Sequence, residues 1–166
     1  MDVISELSMQ LGRQLLEGQA TVATAESCTG GGIAEAITRV PGSSAWFEAG
    51  YVTYSNRQKT AQLDVPAVLF EQVGAVSREV VEAMATGARA KAQAQYSVAV
   101  SGVAGPDGGS VAKPVGTVWL SWGSPARCWS VCRHFPGDRQ AVRSQAVQAA
   151  LEGLLQLARG ENPVEG

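Results

Sequence analysis

Apolar residues recur every three to four positions over Val3–Glu17, where Ile4, Leu7, Leu11 and Leu15 form one stripe. That period predicts an amphipathic helix, and Gly18 is its natural stop. A short β-prone run at 21–25 then predicts a strand, and a second helix over about 31–40 ends before Pro41-Gly42. Residues 48–54, rich in Val, Tyr and Thr, predict the next strand. Ser55-Asn56 offers a cap for a short helix carrying Gln58, Lys59 and Leu63, and Pro66 opens another to about 73. Ser77 caps a longer helix over 78–93. Strands are expected at 96–101, 116–122 and 127–135, with a glycine-dense loop over 102–114. Asp138 caps a last helix over 139–159, and the polar residues from 160 onward are expected to fray.

Strands interleaved with helices predict an α/β fold, a three-layer α/β/α sandwich with a mixed, mostly parallel sheet. The mixture follows from the link over 123–126, too short for anything but an antiparallel hairpin. One domain is expected over 1–160, with 161–166 a flexible tail. Ligands of such sheets bind at the carboxyl ends of the strands. Ser27, Tyr54 and Ser101 all fall at those ends.

Composition narrows the classes. The 166 residues carry a net charge of -2, which argues against a nucleic-acid surface. No apolar run is long enough to span a bilayer, and the first residues lack a signal peptide's basic and apolar blocks, so a cytoplasmic location is expected. The three cysteines, Cys28, Cys128 and Cys132, read as free thiols. Cys128 and Cys132 share a strand face and are expected to pack rather than bind metal. The single histidine, His134, rules out a His-rich metal site and sits mid-strand, a poor place for a triad base.

The chemistry concentrates at 21–32. A strand ends beside Ser27, Gly30, Gly31 and Gly32 follow, and a helix opens at Ile33. Such a junction presents a side chain together with unpaired backbone N–H groups, so a nucleophile and an oxyanion site can share one loop. The N–H groups of Thr29 and Gly30 are the expected oxyanion donors. Serine needs a base, and with histidine scarce a lysine can serve if burial makes its amine neutral. Lys59 is the candidate, with Tyr54 to orient its amine or relay its proton; the plainer reading of Lys59 is a solvated helix lysine. Cys28 is a rival nucleophile, though a packing thiol is the simpler role. Glu26 is placed to accept bonds from the Ser27 loop. Gly102, Gly105, Gly108 and Gly109 allow close backbone approach to an anion, but the loop lacks the Gly-Lys-Ser/Thr of a P-loop. Arg139 and Arg143, one turn apart on one face, can grip a phosphate or form a solvated basic face. Trp46, Phe47 and Tyr51 are assigned to the core or an interface before ligand stacking.

Seven ordered motifs together resemble the CinA C-terminal domain family. They are Thr24-Ala25-Glu26-Ser27-Cys28-Thr29-Gly30-Gly31, Pro41-Gly42-Ser43-Ser44-Ala45-Trp46-Phe47, Val52-Thr53-Tyr54-Ser55-Asn56, Gly74-Ala75-Val76-Ser77, the run from Ser101 to Gly109, Lys113-Pro114-Val115-Gly116-Thr117-Val118-Trp119, and Phe135-Pro136-Gly137-Asp138-Arg139. The resemblance implies a three-layer fold and nicotinamide-nucleotide amidase activity: nicotinamide mononucleotide hydrolysed to nicotinic acid mononucleotide and ammonia, in pyridine nucleotide salvage. It puts the serine nucleophile on Ser27, the lysine base on Lys59 and a supporting tyrosine on Tyr54. It also implies a homo-oligomer, no metal or other cofactor, and, from the start at the first helix, a stand-alone form. The ribose phosphate is expected on Ser101, Gly102, Gly105, Gly108 and Arg139 or Arg143. The rival readings are a non-catalytic nucleotide-binding or adaptor module and an amidase for another small amide.

Overall fold

Small and β-branched residues carry the chain straight through the middle of the molecule. In β1 (Val22–Glu26) all five positions are buried, which requires cover on both faces of the sheet. The computed structural model describes residues 1–164 and supplies that cover from α1 (Val3–Glu17), α2 (Gly32–Thr38), α3 (Asn56–Leu63), α4 (Val68–Gln72), α5 (Arg78–Ala92) and α6 (Arg139–Ala158). The other strands are β2 (Phe47–Val52), β3 (Tyr96–Gly102), β4 (Thr117–Gly123) and β5 (Cys128–His134). Their order is β2-β1-β3-β4-β5. β2, β1 and β3 run parallel, and β4 and β5 return antiparallel, as the short 123–126 link requires.

Alternation along the strands sorts the core into two layers. Val22, Val98, Val100, Leu120 and Trp122 pack against Leu11 and Leu15 of α1, Ile33 and Ile37 of α2 and Leu151 and Leu154 of α6. On the opposite face Ala23, Ala25 and Ala99 meet Val80, Val81, Met84, Ala85 and Ala88 of α5, with Leu63 and Val65 beside them. The small residues let α5 lie close. At Gly87 an added Cβ would stand 2.1 Å from the Leu63 carbonyl oxygen, so α5 abuts the end of α3 and fixes its position. That contact matters because α3 carries Lys59.

The element boundaries shift by one or two residues at most ends. β1 includes Glu26, which pairs with Val52 on one side and Val100 on the other. A glutamate reads locally as a strand terminator; here it is fully buried and continues the strand. Residues Ser43–Ala45 form a short 3-10 turn that the pattern did not announce. Of the tail expected to fray, Pro163 is buried and Val164 rests against the core, while residues 165 and 166 lie outside the described residues.

Candidate active site

The parallel strands β1, β2 and β3 end on one side of the sheet. The antiparallel hairpin brings the start of β4 and the end of β5 to the same side, since Thr117 pairs with His134. Five chain segments therefore converge there, and α6 begins among them.

Glu26 organises the first segment. Its carboxylate accepts bonds from Thr29 Oγ1 (2.6 Å), the Ile33 N–H (2.8 Å) and the Ala34 N–H (3.0 Å). It thereby satisfies first-turn donors of α2, whose N-cap Gly31 has no side chain to do so. Gly31 itself sits at φ +103°, a left-handed conformation that lets the chain double back from strand to helix. Ala in place of Glu26 leaves these buried donors without an acceptor. Glu26→Ala is therefore expected to lose about 3 kcal/mol of unfolding free energy, read from urea denaturation midpoints.

The same loop holds Ser27 with its side chain largely buried. Lys59 Nζ lies 3.1 Å from Ser27 Oγ and donates to the Tyr54 carbonyl oxygen at 2.9 Å. Ser27 Oγ lies 3.4 Å from the same carbonyl. Lys59 is only 1% exposed, so the solvated-lysine reading does not hold. It has no salt-bridge partner among the described residues. Burial without a countercharge pushes its amine down to about 8, so that about a tenth is neutral at neutral pH. Burial acts in the opposite sense on the adjacent Cys28, whose thiol is pushed up to about 11 and stays protonated. Among the described residues the Ser27 hydroxyl, and not the Cys28 thiol, has a hydrogen bond to Lys59.

A pocket of about 270 Å³ opens over this pair. Ser101, Gly102, Gly105, Gly108, Tyr54 and Arg139 border it with Ser27 and Lys59. Asn56, Val76 and Asp107 border it too, and the sequence did not single them out as site residues. Asn56 opens α3 just after its cap Ser55, and Val76 immediately precedes Ser77, the cap of α5. The glycine loop is tied down on two sides: Arg139 Nη1 donates to the Gly105 carbonyl (2.8 Å), and Lys113 Nζ donates to the Val73 carbonyl (2.6 Å).

Several expectations change in the structure. The Tyr54 phenol does not reach Lys59; it is exposed and accepts from Arg139 Nη2 at 3.0 Å, and the backbone carbonyl of Tyr54 makes the contact instead. The Gly30 N–H is committed to the Ser27 carbonyl at 3.0 Å, which removes it as an oxyanion donor. The Thr29 hydroxyl is committed to Glu26, and neither Thr29 nor Gly30 borders the pocket. Cys28 does border it, and its N–H makes no hydrogen bond to another residue among the described residues. Arg143 lies behind the loop, its Nε on the Cys28 carbonyl (3.1 Å) and its Nη2 on the Thr29 carbonyl (3.2 Å), and does not border the Ser27 pocket. His134 is exposed and outside the pocket. Trp46 is buried with its ring against Gly12 of α1, and Phe47 and Tyr51 pack on the two cores. Among the described residues no cluster of His, Cys, Asp or Glu could hold a metal ion, and no helix is long and apolar enough to cross a membrane.

Residues 4–158 match the family described as the CinA C-terminal domain. The chain is 71% identical to the nicotinamide-nucleotide amidohydrolase PncC of Pseudomonas putida over 95% of this chain and 98% of that protein. It is 52% identical to the protein of the same name from Escherichia coli strain K12, over 92% and 93% of the two chains. Among solved structures, a competence-damaged protein (CinA) superfamily protein from Klebsiella pneumoniae 700603 superposes with a TM-score of 0.91 at 36% identity, covering 95% of this chain and 98% of that one.

Proposed function

This chain belongs to the CinA C-terminal domain family, and we propose that it hydrolyses the carboxamide of nicotinamide mononucleotide to nicotinic acid mononucleotide and ammonia. Ser27 is the nucleophile in this reading and Lys59 its base. The observation that carries it is the 3.1 Å contact between the Ser27 hydroxyl and a buried lysine without a countercharge.

The chemistry follows from the protonation states. A neutral Lys59 amine has two N–H donors and one lone pair. One N–H goes to the Tyr54 carbonyl, which turns the lone pair toward Ser27. Lys59 takes the hydroxyl proton as Ser27 Oγ bonds to the carboxamide carbon. The Cys28 N–H, directly after the nucleophile, meets the resulting oxyanion, as in other strand–turn–helix nucleophile loops. The Lys59 ammonium then protonates the departing nitrogen, the C–N bond breaks and ammonia leaves. Lys59, neutral again, deprotonates a water that attacks the ester carbon, and the proton returns to Ser27. The product is a carboxylate, and a role in pyridine nucleotide salvage follows from it.

Ammonia release from nicotinamide mononucleotide, in buffer treated with chelator, tests the substrate assignment. Turnover of the mononucleotide supports it. A folded protein that releases ammonia only from another small amide, or from none, overturns it.

A further inference from the structure

The Ser27 pocket, at about 270 Å³, falls below the ~300–1,000 Å³ usual for small-molecule sites. It has room for a nicotinamide ring, and the sugar must lie outside. The ring nitrogen carries that sugar. With the carboxamide carbon at Ser27, the nitrogen therefore lies toward the pocket mouth. Because it is bonded to ribose, the ring is a pyridinium, and its positive charge cannot be removed by losing a proton.

A cation at that mouth meets other cations. Arg139 borders the pocket, and Lys59 becomes an ammonium as Ser27 attacks. Among the described residues one carboxylate borders the pocket, that of Asp107. Glu26 serves the other side of the Ser27 loop, where its carboxylate is taken up by three donors. Asp107 is exposed, and its side chain makes no hydrogen bond or ion pair among the described residues. Its charge is therefore uncommitted, and it does not compete for the Lys59 amine. The loop beneath it is braced. Arg139 Nη1 donates to the Gly105 carbonyl at 2.8 Å, and Lys113 Nζ donates to the Val73 carbonyl at 2.6 Å. Bracing on both sides of Asp107 lowers the ordering cost of using a loop side chain to meet a ligand.

We propose that Asp107 faces the pyridinium of the substrate and makes the Ser27 pocket selective for carboxamides on a cationic ring over neutral carboxamides. The proposal rests on the amidase reading and gives that site a substrate class. Attraction to Asp107 offsets the repulsion that Arg139 and the Lys59 ammonium exert on the ring. It acts on the ring and not on the amide, so a neutral amide of the same shape gains nothing from it.

Reduced nicotinamide mononucleotide isolates the ring charge. It keeps the carboxamide, ribose and phosphate, but its dihydropyridine ring is neutral. Both ligands are titrated calorimetrically into Ser27→Ala, where no turnover intrudes, and into Ser27→Ala with Asp107→Asn or Asp107→Glu. Asparagine keeps the size of an exposed side chain without partners, so the fold is expected to tolerate it. Asp107→Asn is expected to weaken binding of the mononucleotide about tenfold, the scale of one ion pair at a partly screened rim. It is expected to leave the reduced ligand within about twofold. Asp107→Glu keeps the charge and is expected to hold mononucleotide affinity within about threefold. Equal changes for the two ligands in Asp107→Asn would overturn the assignment. A loss of mononucleotide binding as large in Asp107→Glu as in Asp107→Asn would do the same. A loss confined to the charged ring, in a protein that releases no ammonia as wild type, would sink the amidase reading and leave Asp107 as the partner of the ring.

Discussion

Lys59→Met is expected to abolish turnover and, at neutral pH, to make the protein more stable. The methionine keeps the length and the apolar stem of lysine but has no lone pair basic enough to take the Ser27 proton. Loss of the base for nucleophile and water alike is expected to lower kcat by about 10³–10⁴-fold. Stability moves the other way because burial pushes the amine down to about 8 from its ordinary 10.5. At neutral pH the folded state therefore holds an ammonium in a site that disfavours it. Removing that burden is worth about 3 kcal/mol. The substitution also strips donors from the Tyr54 carbonyl and Ser27 Oγ, which returns about 1–2 kcal/mol. The net is a gain of about 1–2 kcal/mol, or a few degrees in Tm. The sign of the pH dependence follows from the lowered amine. Between about 8 and 10.5 the unfolded chain holds more protons than the folded one, so wild-type stability from this group rises with pH across that window. The advantage of Lys59→Met is accordingly largest below about 8 and fades toward 10.5. Thermal or urea unfolding at neutral and alkaline pH reads it directly. A variant both inactive and destabilised at neutral pH would mean that Lys59 holds the fold rather than serving the serine.

Ser27→Ala is expected to lower kcat by about 10⁴-fold or more while leaving the fold intact. Among the described residues the Ser27 hydroxyl is hydrogen-bonded only to Lys59 and the Tyr54 carbonyl, and alanine keeps its Cβ, so the substitution removes one hydroxyl. Its backbone N–H keeps its bond to the Val100 carbonyl. The unfolding midpoint is expected within about 1 kcal/mol of wild type. Cys28→Ala provides the contrast. In the proposed mechanism the protonated thiol takes no part, so that variant is expected to retain kcat within about tenfold, the allowance for a small core cavity beside Ser27. Ammonia release and unfolding curves on the same preparations separate the two residues. Full activity in Ser27→Ala with loss in Cys28→Ala would transfer the nucleophile to the thiol.

The long helices were legible because their signals are local. The stripe of α1, the Ser77 cap of α5 and the Asp138 cap of α6 each lie within a few residues of the turn they specify, and both caps bond as expected, Ser77 to the Val80 N–H and Asp138 to the Ala141 N–H. The hairpin of β4 and β5 was legible from its link length alone. The convergence of Ser27, Tyr54 and Ser101 followed from strand polarity, which needs only the order of elements. What the sequence withheld depends on contacts between distant segments. Glu26 caps α2 from within a strand buried on both faces, a placement that no local pattern signals. The exposed Tyr54 phenol turns to Arg139, 85 residues away, and leaves its carbonyl to Lys59. Arg139 and Arg143 share a helix face, yet Arg139 borders the Ser27 pocket while Arg143 bonds the Cys28 and Thr29 carbonyls and does not border that pocket. The depression of the Lys59 amine was required by the chemistry but could not be read from the residue; it arises from α5 pressing α3 against the sheet.

The pH dependence of kcat/KM for ammonia release from nicotinamide mononucleotide tests the Ser27–Lys59 pair most directly, because it reports ionisations of the free enzyme. Log kcat/KM is predicted to climb with unit slope through neutral pH and to level off near 8, where the Lys59 amine becomes neutral. A profile that is flat or falling between about pH 6.5 and 9 would contradict a neutral lysine as the base.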